Sequence, residues 1–305
     1  MIASLAAIIY VLQWEEEPPE MKQPKKEVNQ AEPAKAVLPK AQKDKTVKES
    51  TVAPSRVPGK EKEKIVVSSI GKTIQTRQLA IIIDDIGNDL GPVRELLKID
   101  ADITFAVMPL CNHTREAAEI LHKARREILL HLPMEPASYP REKPGAGALF
   151  TDMNNQELLF QLNKNMAAVP YISGVNNHMG SKFMEDEEKL KVIFENLKKK
   201  NLFFIDSRTT PNSKASSVSE KTGLPLASRR IFLDNSRDYE AIYKILTEIA
   251  HETADGDVAP LIIIGHPYPE TIRAIKEATK ILRAKGVVIV PVSRLVKNKA
   301  PQGSS

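Results

Sequence analysis

The chain has 305 residues, 42% of them hydrophobic, which is enough to bury the core of one large domain or two small ones. The formal net charge of +5 is small, and basic residues alternate with acidic ones without forming aromatic-interleaved patches, so nucleic-acid binding is not expected. A single cysteine, Cys111, excludes an intramolecular disulfide.

The N-terminal residues 1–14 are largely apolar. Their apolar run, residues 2–12, is shorter than the roughly 20 residues that span a bilayer, but it has the length of a signal-peptide apolar region. We expect a truncated membrane anchor or a signal region here, the alternative being a loosely ordered apolar end. Residues 15–76 are rich in Lys, Glu and Pro and predict a disordered linker, because such a segment buries too little apolar area to offset its ordering entropy.

Residues 77–297 have the composition of a globular α/β domain close in size to a single β/α barrel, and residues 298–305 predict a disordered tail. Strands are predicted from seven apolar runs: 79–83, 103–107, 127–130, 171–175, 202–205, 261–264 and 287–290. Helices are predicted from six amphipathic stretches: 93–99, 115–125, 155–169, 186–200, 237–254 and 269–285. This alternation favours a parallel sheet with helices outside it.

Polar residues able to bind metal or transfer protons follow five of the seven predicted strands. In chain order they are Asp84 and Asp85, then His131, then Asn176, Asn177 and His178, then Asp206, and finally His266 after Gly265. Any one of them alone is more often a structural residue. Because reacting groups of β/α barrels lie at the carboxyl ends of the strands, their shared position predicts one site.

The chemistry of this set is that of a catalytic metal centre. Asp, His and His form a usual ligand set for Zn²⁺, with Mn²⁺, Co²⁺ and Fe²⁺ as alternatives. A carboxylate that is not a ligand could accept a proton from water, and a histidine opposite it could protonate a leaving group.

Six motifs in order resemble the divergent polysaccharide deacetylase family, within the NodB-type carbohydrate esterases. They are IIIDDIG (81–87), HLPMEP (131–136), GVNNHMGS (174–181), FFIDSRTT (203–210), IFLDN (231–235) and GHPYPETI (265–272). The resemblance covers roughly residues 77–297. It implies an α/β fold, a distorted seven-stranded β/α barrel of NodB-like type, and metal-dependent hydrolysis of N-acetyl groups from a glycan.

The resemblance also implies roles for individual residues. Asp84 is the expected general base, Asp85 a metal ligand and His266 the catalytic acid, although the sequence leaves open an exchange of roles between the two aspartates. Ordinary members of the superfamily take two histidine ligands from one helical turn, whereas this chain offers His131 and, as the candidate second ligand, His178. Substrate-binding or supporting roles are expected for four further residues: Glu135, Asn177, Asp206 and Arg208.

Three functions compete at this stage. The first is a cell-envelope deacetylase that uses a divalent metal, zinc before others, on a polysaccharide or peptidoglycan-like glycan. It would be periplasmic or extracytoplasmic, tethered to the cytoplasmic membrane through the N-terminus or secreted. The second is a metal-dependent hydrolase of another ester, amide or phosphoester, and the third is an envelope binding module that has lost its chemistry.

Overall fold

The computed structural model describes residues 76–251 and 261–296. The predicted N-terminal segment, the linker up to residue 75 and the predicted tail lie outside the described residues, so those expectations stay predictions. Among the residues that are described, no helix combines the length and apolarity needed to cross a membrane.

The described part of the chain contains nine β-strands and seven α-helices, which alternate over most of its length. The strands are β1 (Arg77–Ile86), β2 (Thr104–Val107), β3 (Ile128–Met134), β4 (Gly174–Met179), β5 (Phe203–Asp206), β6 (Leu226–Ser228), β7 (Ile231–Phe232), β8 (Leu261–Gly265) and β9 (Val287–Ile289). The helices are α1 (Gly91–Leu96), α2 (Thr114–Lys123), α3 (Asn155–Ala168), α4 (Glu187–Lys199), α5 (Ala215–Thr222), α6 (Tyr239–His251) and α7 (Pro269–Ala284). Short 3-10 turns cover Phe183–Glu185 and Val292–Leu295.

All strand pairings are parallel, as predicted, and the strands form one sheet in the order β6-β5-β4-β3-β2-β1-β8-β7, with β9 paired to the start of β1. The edge strands β6 and β7 are separated in sequence by only two residues, Arg229 and Arg230. The backbone N–H of Arg229 donates to the carbonyl of Asp206 at 3.0 Å, and that of Arg230 donates to the carbonyl of Ile262 at 2.9 Å. The sheet therefore curls into a barrel that is closed by this short connection and not by a strand ladder. The predicted distorted β/α barrel is confirmed, but the described residues contain nine strands and not the predicted seven, because the short strands β6 and β7 were missed.

The core has two layers because β1 is buried on both faces. Leu79 to Ile83 are all fully buried. Ile81 and Ile83 pack in the larger cluster, with apolar residues of the helices, whereas Ala80 and Ile82 belong to a smaller cluster inside the barrel. Side chains alternate along a strand, so the inward series continues from Ile82 to Asp84.

The helices form where capping and apolar periodicity agree. At the start of α4 the Asp186 carboxylate accepts from the Lys189 N–H at 3.0 Å, and α3 begins with a capping box formed by Asn154 and Glu157. The buried face of α4 follows helical spacing through Leu190, Ile193, Phe194 and Leu197.

The sequence analysis missed three elements and misplaced the limits of several strands, among them β1, which runs past Ile83 to Ile86. Helix α5 and strands β6 and β7 are too short to carry a clear apolar period. Strand β3 does not end before His131 but continues to Met134, and β4 begins at Gly174 and runs through His178. Parallel pairing continues through the polar residues, with His131 opposite Asn176, so hydrogen bonding sets these limits and apolar character does not.

Candidate metal centre

A local irregularity in β1 brings two adjacent carboxylates toward one histidine. The regular pleat would turn Asp84 and Asp85 to opposite faces. The pairing between β1 and β2 shifts register between Ile83 and Ile86, and Asp85 has a φ of +57°, in the left-handed region. Both carboxylates therefore lie close to His131, whose Nε2 is 3.6 Å from Asp84 Oδ2 and 3.2 Å from Asp85 Oδ1.

His178 completes a compact group with Asp85 and His131. Its Nδ1 lies 3.0 Å from Asp85 Oδ1 and 3.1 Å from His131 Nε2. One ligand atom from each of these three residues falls within 4.8 Å of the other two. The three residues predicted as metal ligands are thus brought together by strands β1, β3 and β4.

The donor set fits a divalent cation. Asp85 Oδ1 is buried and has no hydrogen-bond partner, although two imidazole nitrogens lie within 3.2 Å of it. A buried carboxylate oxygen without a partner is costly, and a cation shared with the two nitrogens would satisfy it. One carboxylate and two imidazoles are ligands that suit zinc, with room for further ligands in a catalytic site.

Asn176 links the first carboxylate to the first histidine. Its Nδ2 donates to Asp84 Oδ1 at 2.8 Å, so its Oδ1 is the acceptor facing His131 Nδ1 at 3.0 Å. The proton of a neutral His131 is thereby placed on Nδ1, which leaves the Nε2 lone pair directed at Asp85. The sequence analysis placed Asn176 at the strand end without a role, because its position directly opposite His131 is set by the register of β3 and β4.

His266, the predicted catalytic acid, is held by a buried carboxylate. Its Nδ1 lies 3.0 Å from Asp234 Oδ1, and its backbone N–H donates to Asp234 Oδ2 at 2.6 Å. The Thr271 hydroxyl donates to the same oxygen at 2.8 Å. A Cβ on Gly265 would come within 3.2 Å of Asp234 Oδ2, so glycine leaves room for this contact. Asp234 was missed as a functional residue, although it stands in one of the quoted motifs.

His266 faces the same centre from β8, because its Nε2 is 3.7 Å from Asp85 Oδ2. Burial favours the neutral ring, but the hydrogen bond to Asp234 and the charge of Asp85 outweigh it and raise the pKa of His266. The imidazole therefore stays protonated to a higher pH than a free one, which suits a proton donor.

The two aspartates are in opposite electrostatic situations. Burial raises the pKa of Asp84, against the lowering effects of His131 and Asn176. For Asp85, burial also favours the neutral acid, but His131 and His178 outweigh it and hold the pKa below its usual range. Burial likewise opposes a charge on His131, but Asp84 and Asp85 raise its pKa to about 9.

Glu135 and Asn177, two of the four residues predicted to bind substrate or support the site, make hydrogen bonds to neighbouring segments. Glu135 accepts from the Thr151 N–H and hydroxyl, both at 2.7 Å, and pairs with Lys182 Nζ at 2.7 Å. Asn177 accepts from the Ser207 N–H at 2.9 Å and donates to the Met179 carbonyl.

The other two of the four are Asp206, the last residue of β5, and Arg208, which follows that strand. Asp206 accepts from the backbone N–H of Arg208 at 2.8 Å. Arg208 is exposed and has a φ of +54°. None of the contacts described for these four residues involves Asp85, His131 or His178, so their assignment to substrate binding or support stays a prediction.

The fold and the site define a parallel α/β barrel with a candidate Asp/His/His metal centre at the carboxyl ends of its strands. Residues 81–296 match the family described as divergent polysaccharide deacetylase, and the chain belongs to that family. The family predicted from the sequence motifs is thus confirmed.

Relatives and a solved structure show the same similarity. The chain is 33% identical over 210 residues to the uncharacterized protein YibQ of Escherichia coli K12, an alignment that covers 68% of this chain and 64% of YibQ. It is 29% identical over 222 residues to an uncharacterized protein of Haemophilus influenzae, covering 73% of this chain and 78% of that protein. The crystal structure of an uncharacterized protein from Agrobacterium tumefaciens C58 matches with a TM-score of 0.68 and 22% identity, covering 72% of this chain and 89% of that one. This last similarity shows the fold.

Proposed function

We propose that this protein is a metal-dependent hydrolase of the cell envelope that removes N-acetyl groups from a glycan. The observation that carries the proposal is the unpartnered Asp85 Oδ1, which lies within 3.2 Å of both His131 Nε2 and His178 Nδ1. Membership of the divergent polysaccharide deacetylase family supports the reaction class and the glycan substrate. The envelope location rests on the apolar N-terminal residues and the polar linker of the sequence.

Asp85, His131 and His178 are the residues that would hold the metal, with zinc as the first choice. When bound, such an ion acidifies a water molecule and polarises a carbonyl group. Asp84 is better placed as base than as ligand, because Asn176 already occupies its Oδ1. Its raised pKa also brings it closer to the pH at which a carboxylate base works best.

The proton transfers divide between Asp84 and His266. Asp84 accepts a proton from the attacking water as the water oxygen forms a bond to the acetyl carbonyl carbon. The amide C–N bond then breaks, and the protonated imidazole of His266 gives its proton to the departing amine. Acetate and the free amino sugar are the products, and Asp234 keeps the His266 ring oriented throughout.

The test combines metal analysis of the full chain with acetate release from a panel of acetylated glycans. His131→Ala and His178→Ala should lose bound metal and activity together, because each removes a ligand. Asp84→Asn should keep its metal while the rate falls by roughly 10²–10⁴. The exposed His251 at the end of α6 supplies the control, and His251→Ala should change neither.

Other outcomes would select the competing functions. Metal binding with release of phosphate or of another acyl group, and no acetate, would favour a different ester or phosphoester hydrolase. Unchanged metal content in folded His131→Ala and His178→Ala would mean that the centre does not exist, and a binding module would then be the better description.

A further inference from the structure

Two arginines have no carboxylate partner within ion-pair distance among the described residues, and each stacks on an aromatic ring that lies close to the ring of His266, the proposed acid. The guanidinium carbon of Arg237 lies 3.8 Å from the centre of the Tyr268 ring, and that ring is 5.4 Å from the His266 ring. The guanidinium carbon of Arg229 lies 4.9 Å from the centre of the Phe232 ring, which is 5.2 Å from the His266 ring.

Arg237 is the one of the two that is free to meet a ligand. It is exposed, and the hydrogen bond that it makes is a donation to the Tyr268 hydroxyl at 2.9 Å. Stacking and this bond fix the guanidinium, so little side-chain entropy would be lost when it binds an anion. Arg229 is half-buried and donates to the carbonyls of Ser207 and Arg208, so its role is to add positive charge.

The nearest carboxylates in the sequence are engaged elsewhere. Asp238 follows Arg237 directly, but its Oδ1 accepts from the Ala241 N–H at 2.8 Å at the start of α6. Both oxygens of Asp234 are used by His266 and Thr271. The charge of Arg237 is therefore left for a partner outside these residues.

A third stacked arginine shows what a structural pair looks like in this protein. The guanidinium carbon of Arg273 lies 4.1 Å from the centre of the Tyr239 ring, and its Nε donates to Glu277 at 3.1 Å. That arginine also stacks on a tyrosine, but its charge is paired with a carboxylate one helical turn away. Arg237 has the same stacking without the carboxylate, and the ring on which it stacks is 5.4 Å from the ring of the proposed acid.

We propose that Arg237 and Tyr268 form a recognition site for an anionic group on the glycan, a carboxylate or a phosphate, next to the leaving amine. The inference rests on the proposed function and narrows its substrate class from any acetylated glycan to an acidic one. Guanidinium groups bind both anions in a bidentate manner, so the shared chemistry is an oxyanion.

The experiment measures binding, so that it does not depend on turnover. Zinc-loaded full-length Asp84→Asn protein is titrated with three probes of equal length: a neutral N-acetylglucosamine oligomer, an oligomer whose sugars carry a lactyl carboxylate, and a phosphorylated oligomer. One or both acidic oligomers should bind more tightly than the neutral one, and the arm with the larger gain identifies the anion.

Arg237→Gln in the same background should reduce binding of the preferred acidic oligomer by about 10-fold, the lower range for a hydrogen bond to a charged group. It should leave the neutral oligomer unchanged, and Arg273→Gln should leave all three unchanged. Equal binding of the three oligomers, or an equal loss of all three in Arg237→Gln, would overturn the anion site. Anion preference in the binding experiment, together with no acetate release by the wild-type protein, would instead refute the proposed reaction and leave the site standing.

Discussion

The contacts of Asn176 predict how strongly metal binding depends on a residue that is not itself a ligand. Replacing Asn176 with Ala removes the donor to Asp84 Oδ1 and the acceptor for His131 Nδ1, and all three residues are almost completely buried. The His131 ring would then be free to carry its proton on Nε2, the nitrogen that faces Asp85. Loss of such an orienting partner lowers metal affinity by roughly 10–100-fold.

Stability should fall as well, because two buried polar groups lose their partner. At about 1–3 kcal/mol for each orphaned group, the free energy of unfolding should drop by roughly 2–6 kcal/mol. A stability loss by itself is therefore no proof of a functional role, and a control with the same structural cost is needed.

Asn177, the next residue on β4, provides that control. It is equally buried, and it also holds two backbone groups, the Ser207 N–H and the Met179 carbonyl, but it does not contact His131. Asn177→Ala should lose comparable stability in urea unfolding and keep its metal affinity, measured by competition with a chromophoric zinc chelator. If folded Asn176→Ala binds zinc as tightly as the wild type, or if both variants weaken equally, the link from Asp84 to His131 does not position the ligand.

Two further predictions concern pH. In the metal-free protein burial opposes a charge on His131, but Asp84 and Asp85 raise its pKa to about 9, so below that pH zinc must displace a proton from the ring. Zinc affinity measured by calorimetry should therefore rise as the pH approaches 9 and then level off. An affinity that does not change with pH would contradict this. The second prediction concerns Asp234→Asn, which removes a carboxylate that raises the pKa of His266, so the ring should lose its proton at a lower pH. In a profile of rate against pH, the falling alkaline limb should move to lower pH. The control Asp238→Asn should leave that limb in place.

Much of the candidate ligand cluster could be predicted from the sequence because strand ends in a parallel sheet converge. Asp85, His131 and His178 are far apart along the chain, yet each belongs to an apolar strand that ends in polar residues, and the structure places them within 4.8 Å. The repetition of polar residues at several strand ends supported the prediction of a site, which a single histidine could not have done. The parallel arrangement of the strands and their burial followed from the same apolar runs.

The contacts that orient these ligands could not be predicted in the same way. The bond from His131 to Asn176 exists because β3 and β4 pair in one particular register, and a shift by one residue would replace Asn176 by a neighbour that points to the opposite face. The hydrogen-bond partner of His266 is Asp234, which lies just after β7. That strand is only two residues long, so the sequence shows no apolar periodicity there. The hydrogen bonds that orient a side chain depend on how strands are paired in the folded protein, whereas the burial of apolar residues can be predicted from the local sequence pattern.

The paired aspartates show why local pattern and tertiary context must be read together. By alternation alone, Asp84 faces the barrel interior and Asp85 the helices, so the two carboxylates could not act on one metal. The left-handed conformation of Asp85 and the register shift beside it turn its side chain back to the mouth of the barrel, where 35% of it remains exposed, whereas only 4% of the Asp84 side chain is exposed. One carboxylate is thus buried and tied to Asn176, and the other is open and lacks a hydrogen bond at Oδ1. That difference supports Asp85 as the proposed ligand and Asp84 as the proposed base, the two roles whose exchange the sequence leaves open.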